Sequence, residues 1–213
     1  MNSLSVLLLG IGLGLRHATD VDHVVVVSAL VQREPGIWRA ARIAALWGLG
    51  HTAAFLAVGM LIVVGEIKLP ESFELVAELS VASMLIAFGI WHLIRGRVST
   101  AERPLGPLMV ASARPVLIGL VHGLAGSAAI ALLAATTIPS RALAAAYLGL
   151  FGLGTVLGMV LLTALISRPI GWAMRREGHL KRTVTILSAL LSMALGVSVL
   201  LGIFAAEASN TGG

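Results

Sequence analysis

His17-Ala18-Thr19-Asp20-Val21-Asp22-His23 places two imidazoles and two carboxylates inside an apolar run, flanked by residues 4–15 and 24–30. The upstream flank of 12 residues reaches about 18 Å as a helix, short of the roughly 30 Å of a bilayer core. A spanning segment must therefore carry the polar heptad through the membrane. Each Asp at a helix centre costs about 2.5–3.5 kcal/mol on insertion scales. Two carboxylates with two imidazoles are nitrogen/oxygen metal-ligand chemistry. Polar side chains also tie membrane helices together by hydrogen bonds, but four such groups in seven residues exceed that need.

The composition agrees with a membrane setting. Of 213 residues, 58% are hydrophobic and 12% charged, and the mean hydropathy is +0.98, far above that of soluble globular domains. The expected class is an all-α polytopic membrane protein, residues 1–213 forming one transmembrane domain. No Lys or Arg precedes the first apolar run and no small-x-small site follows it, so the N-terminus does not read as a cleaved signal. The absence of cysteine excludes disulfides and thiolate metal sites.

Hydropathy places six spans, over residues 3–31, 40–65, 74–94, 115–138, 142–166 and 183–204. Pro115 reads as a helix-opening residue and Pro139 as a stop, while Pro70, Pro104, Pro107 and Pro169 fall in connections. Twelve of the fifteen basic residues lie in the connections around 31–42, 95–114 and 168–182. The opposite connections hold Lys68 and Arg141 with Glu66, Glu71, Glu74 and Glu78. The positive-inside rule makes the basic face cytoplasmic and puts both termini outside, in a plasma (inner) membrane. The high isoelectric point, near 11.0, is thus a topology signal, and no nucleic-acid partner is expected.

The two halves echo each other. Gly14-Leu-Arg-His17 resembles Gly119-Leu-Val-His122, and Gly48-Leu-Gly50 resembles Gly152-Leu-Gly154. Ser83-Met84 with Gly89 resembles Ser192-Met193 with Gly196, so offsets of 105, 104, 109 and 107 residues keep order and spacing. Three spans per half make the second copy inverted: repeat A over about 3–94, repeat B over about 115–204, and a cytoplasmic linker at 95–114. Secondary transporters with such 3+3 inverted repeats bind their cargo near the midplane.

Depth and helix geometry then constrain the polar residues. Counting from span centres puts Asp20, His51 and His122 at one level, slightly inside the midplane, although His51 and His122 also read singly as interhelical hydrogen-bonding residues. At 100° per residue, His17, Asp20 and His23 share an arc of about 120°, whereas Asp22 lies about 140° from His17 on the other side. An unbroken helix cannot aim His17 and Asp22 at one ion. Either the helix breaks within the heptad, as Gly10, Gly12 and Gly14 would permit, or Asp22 orients a ligating imidazole from outside the coordination sphere. Arg16 would partly neutralise Asp20 or Asp22, or pack against a neighbouring carbonyl.

Arg16-His17-Ala18-x-Asp20-x-Asp22-His23 resembles the H-x4-D-H signature of the nickel/cobalt transporter family, and Leu49-Gly50-His51-Thr52 resembles its second motif. Val121-His122-Gly123-Leu124-Ala125-Gly126-Ser127 resembles the third motif of the short, urease-accessory-type members. The resemblance implies transport of Ni²⁺ or Co²⁺, with His17, Asp22 and His23 needed for it. The expected metal-binding set is His17, Asp20, Asp22, His23, His51 and His122, with the ion as cargo and no prosthetic group. The expected partners are the lipid bilayer and the divalent ion; oligomeric and maturation partners are not specified by the sequence. No Walker motif is present, so ATP hydrolysis is not expected of this chain. The competing readings are a metal-binding accessory protein for metalloenzyme maturation and an intramembrane metalloenzyme. The latter would want a general base beside the metal, and no span carries an intramembrane Glu.

Overall fold

The computed structural model describes residues 2–31, 36–97, 108–124, 129–175 and 179–211. These form eight helices and no strand: α1 (Ser3–His17), α2 (Val21–Val31), α3 (Ile37–Val63), α4 (Glu71–Arg97), α5 (Leu108–Gly123), α6 (Ala129–Thr136), α7 (Arg141–Arg175) and α8 (His179–Thr211). Four, within α3, α4, α7 and α8, are long and apolar enough to cross a membrane. The pair α1 and α2, bent by 56°, makes a fifth if it is one span. The chain is an all-α, multi-pass membrane protein.

Several boundaries differ from the hydropathy reading. The first expected span is two helices, and the fourth is divided between α5 and α6, with residues 125–128 outside those described. Pro115 does not open a helix but lies within α5, and Pro169 lies within α7 rather than in a connection. An internal proline loses one backbone hydrogen bond, which membrane helices tolerate where neighbouring groups re-satisfy the backbone. The last two helices run longer than expected because hydropathy marks only the apolar slab. Arg168 and Arg175 close α7, and Lys181 and Arg182 open α8, as helical turns that carry their charges toward the interface. Pro104, Pro107, Arg33, Arg103 and Arg176 lie outside the described residues.

Lipid tails are as apolar as leucine, so helices in a membrane associate through close packing rather than hydrophobic burial. Small residues provide it here, with α1 lying along α7, α5 along α3, α3 along α7, and α4 along α8. A Cβ built on Gly14 would strike the Phe151 carbonyl, and one on Gly119 would strike the Trp47 carbonyl. Gly154 is blocked in the same way by Ile11, and Gly50 by Val116. A Cβ on Gly89 would sit 2.6 Å from the Ala189 oxygen, and one on Gly196 would sit 2.7 Å from the Ala82 oxygen. Each contact thus has a reciprocal one with the halves exchanged. Across the α4–α8 seam, Ser192 Oγ also donates to the Leu85 carbonyl at 2.7 Å.

Two apolar clusters form the core. One joins Val26, Val27, Val31, Ala40, Trp47, Leu85 and Met159. The other joins Phe55, Ala131, Ala135, Tyr147, Leu148 and Phe151. Of the heptad, His23 packs on Trp47 of the first cluster and His17 on Phe151 of the second.

Candidate metal centre

The break that separates α1 from α2 is built by local hydrogen bonds. Asn2 caps α1 by accepting from Ser5 N at 2.9 Å. At the other end the turn tightens: Thr19 N reaches the Arg16 carbonyl at 2.9 Å and Asp20 N the His17 carbonyl at 3.0 Å. The Thr19 hydroxyl donates to the Arg16 carbonyl as well, at 2.6 Å. The new helix starts where Val24 N donates to the Asp20 carbonyl at 3.0 Å. Asp22 then falls in its first turn, where a carboxylate is favoured by the helix dipole, and accepts from His23 N at 3.0 Å. Of the two options left by helix geometry, the chain breaks. His17 is delivered by the end of α1, while Asp22 and His23 are delivered by the start of α2.

Four imidazoles meet at this point. His17, His23, His51 and His122 are all buried, with no more than 5% exposure. His23 is their hub, its ring centre lying 4.5 Å from His17, 4.9 Å from His51 and 4.8 Å from His122. His17 Nε2 faces His51 Nε2 at 3.3 Å. That is an N–H···N hydrogen-bond distance, and also about the edge of a tetrahedron of metal–nitrogen bonds of roughly 2.0–2.1 Å. Asp22 bridges two rings: Oδ1 lies 3.1 Å from His23 Nδ1, and Oδ2 lies 3.1 Å from His122 Nε2. The second approach is off the hydrogen-bonding direction, because His122 Nε2 has no hydrogen-bond partner. His23 Nε2, His51 Nδ1 and His122 Nδ1 are likewise buried and unpaired. Buried polar atoms normally find partners, and a cluster of lone-pair nitrogens that do not is what a metal ion would satisfy.

The donors form two sets, each lying within 4.8 Å: His17, His23 and His51, and Asp22, His23 and His122. Asp20, expected among the ligands, is in neither. It accepts from His17 Nδ1 at 2.9 Å with its own side chain 43% exposed, the geometry of a group that orients an imidazole from outside. Arg16 is exposed and forms no ion pair with either carboxylate among the described residues. Helix ends add to the field. Both α1 and α5 terminate at the cluster, so two C-terminal dipole ends of negative sign face it, together with the positive N-terminal end of α2, which the Asp22 carboxylate offsets.

Two aromatic residues that the sequence reading missed close the centre. Trp47 lies 5.4 Å from His23 and 5.7 Å from His122, and Phe151 lies 5.3 Å from His17 and 4.8 Å from Phe55. One signal for Trp47 was available, since it precedes His51 by one helical turn and so shares its face.

A bent pair of apolar helices and a buried cluster of imidazole and carboxylate donors that could hold a metal ion mark a multi-pass membrane protein with a candidate metal centre. The chain is 35% identical over 185 residues, 81% of its own length and 81% of the relative's, to the urease accessory protein UreH of Bacillus sp. (strain TB-90). It belongs to the urease-accessory type of the nickel/cobalt transporter family. No family model matches the chain, and no solved structure matches it.

Proposed function

We propose that this chain is a secondary transporter that carries a divalent transition-metal cation, Ni²⁺ or Co²⁺, across the plasma membrane through the His/Asp centre. The observation that carries this reading is the pair of buried donor sets with unpaired nitrogens at the bend between the apolar helices α1 and α2. Imidazole with carboxylate and no thiolate suits a borderline divalent ion. Affinity order alone would favour Cu²⁺, so selectivity has to come from geometry. The ligating set is His17, Asp22, His23, His51 and His122, with Asp20 holding His17 in position.

A six-span, 3+3 inverted repeat gives this centre its route across the bilayer, with α1–α2 and α5–α6 as the two broken spans. The reciprocal glycine contacts support it, because each pairs a residue of one half with the counterpart of its partner in the other. Arg39 and Arg42 of α3, Arg168 and Arg175 of α7, and Lys181 and Arg182 of α8 lie toward the ends that the positive-inside rule makes cytoplasmic. Access to the centre is at the break. Arg16 and Thr19 are exposed and Asp20 is 43% exposed near the middle of a spanning pair. Charges there are costly toward lipid, so this mouth opens to water.

The test is uptake of radioactive nickel and cobalt by metal-starved cells. Wild-type uptake should be abolished by His17→Ala and by Asp22→Asn with the protein still inserted; unchanged uptake in both variants would refute the assignment. The relative's name favours a second reading, an accessory role in metalloenzyme maturation. It requires metal binding without vectorial flux.

A further inference from the structure

We infer that the centre holds a single ion at two alternative stations that share His23, one completed by His17 and His51, the other by Asp22 and His122. The inference rests on the transport reading and deepens it.

The two donor sets overlap at His23 alone. A carboxylate only accepts, so the 3.1 Å contact with Asp22 places the His23 proton on Nδ1 and leaves the unpaired Nε2 as its one lone pair. One lone pair serves one ion at a time, which makes the stations mutually exclusive. His23 is also the only ring within 5 Å of each of the other three, so an ion moving between stations need not release it.

The outer donors are related by the internal repeat. His17 ends α1 and His122 lies in the last turn of α5, at the offset of 105 residues that relates Gly14 to Gly119. Their aromatic neighbours follow the same exchange: His17 packs on Phe151 and His122 packs on Trp47, which are counterparts at an offset of 104. The stations therefore present the ion to equivalent positions in opposite halves, but with different chemistry. One offers three imidazoles, the other two imidazoles and a carboxylate.

The experiment is Co²⁺ binding to the purified full-length chain in nanodiscs, with stoichiometry, affinity and X-ray absorption measured together. Wild type should bind one ion per chain. Removing one of two equal, exclusive stations raises Kd only about two-fold, so His17→Ala and His122→Ala should each bind within about ten-fold of wild type. His23→Ala, which damages both stations, should lose at least ten times more than either. The absorption edge should report carboxylate with imidazole in His17→Ala and imidazole alone in His122→Ala. His17→Gln and His122→Gln serve where an alanine variant does not fold. Two ions per chain, or a loss in His17→Ala and His122→Ala equal to that in His23→Ala, would overturn the shared pivot while leaving transport standing. A wild type that binds no Co²⁺ would overturn both.

Discussion

Asp20 separates a ligand from a positioning group. Its Oδ2 lies 2.9 Å from His17 Nδ1, across the helix break, and it is absent from both donor sets. Removing a group that orients a ligating imidazole costs about 10–100-fold in metal affinity, or about 1.4–2.7 kcal/mol. In wild type the Asp22/His122 station caps the loss, so Asp20→Ala should cost no more than His17→Ala does. Added to His122→Ala, which leaves the His17 station alone, it should weaken Co²⁺ binding by the full factor without abolishing it. Asp20→Asn should recover part of the loss, because the amide oxygen still accepts the Nδ1 proton. Folding should barely change, since the side chain is 43% exposed and such pairs contribute about 0–1 kcal/mol. Quenching of tryptophan fluorescence provides the titration, with the Trp47 ring 5.4 Å from His23. X-ray absorption should show imidazole alone in His122→Ala both with and without Asp20→Ala. Unchanged affinity on adding Asp20→Ala to His122→Ala, or loss of an oxygen donor from the ion, would refute the positioning role.

The helix contacts, the water-facing mouth and the outer ion pair provide further tests. Gly14→Ala and Gly119→Ala force a methyl onto a backbone carbonyl and should each lower stability by about 1–3 kcal/mol in thermal unfolding. Gly12→Ala, with nothing within 4 Å, should instead stabilise by up to about 1 kcal/mol. The chain has no cysteine, so a single introduced thiol is a clean probe. Thr19→Cys should react with a membrane-impermeant thiol reagent, whereas Val26→Cys, at a position 1% exposed, should not. Arg141 and Glu66 pair while both are largely exposed, so Arg141→Ala should change stability by no more than about 1 kcal/mol in the same assay.

Much of the centre was legible because membrane burial makes polar residues conspicuous. The angular conflict between His17 and Asp22 on one helix required a choice, and the chain resolves it by breaking at Ala18–Asp20. His51 and His122 were picked out by depth, and they reach the same cluster. Asp20 falls outside both donor sets, since sharing an arc with His17 says which face a side chain is on, not which donors it meets. Once the helix breaks, that arc no longer describes the heptad. The end of α5 at Gly123 escaped notice, although Gly123 and Gly126 beside His122 were a signal like the glycines upstream of His17. Trp47 and Phe151 were hidden among apolar neighbours, since hydropathy does not distinguish an aromatic wall of a site from core.

Metal flux into proteoliposomes tests the central claim most directly, with wild type and His23→Ala reconstituted side by side at equal density and orientation. Wild type should accumulate Ni²⁺ or Co²⁺ in the lumen, and His23→Ala, inserted and folded, should not exceed protein-free vesicles. Accumulation by His23→Ala at the wild-type rate, or a wild type that binds the ion and never moves it, would contradict the account.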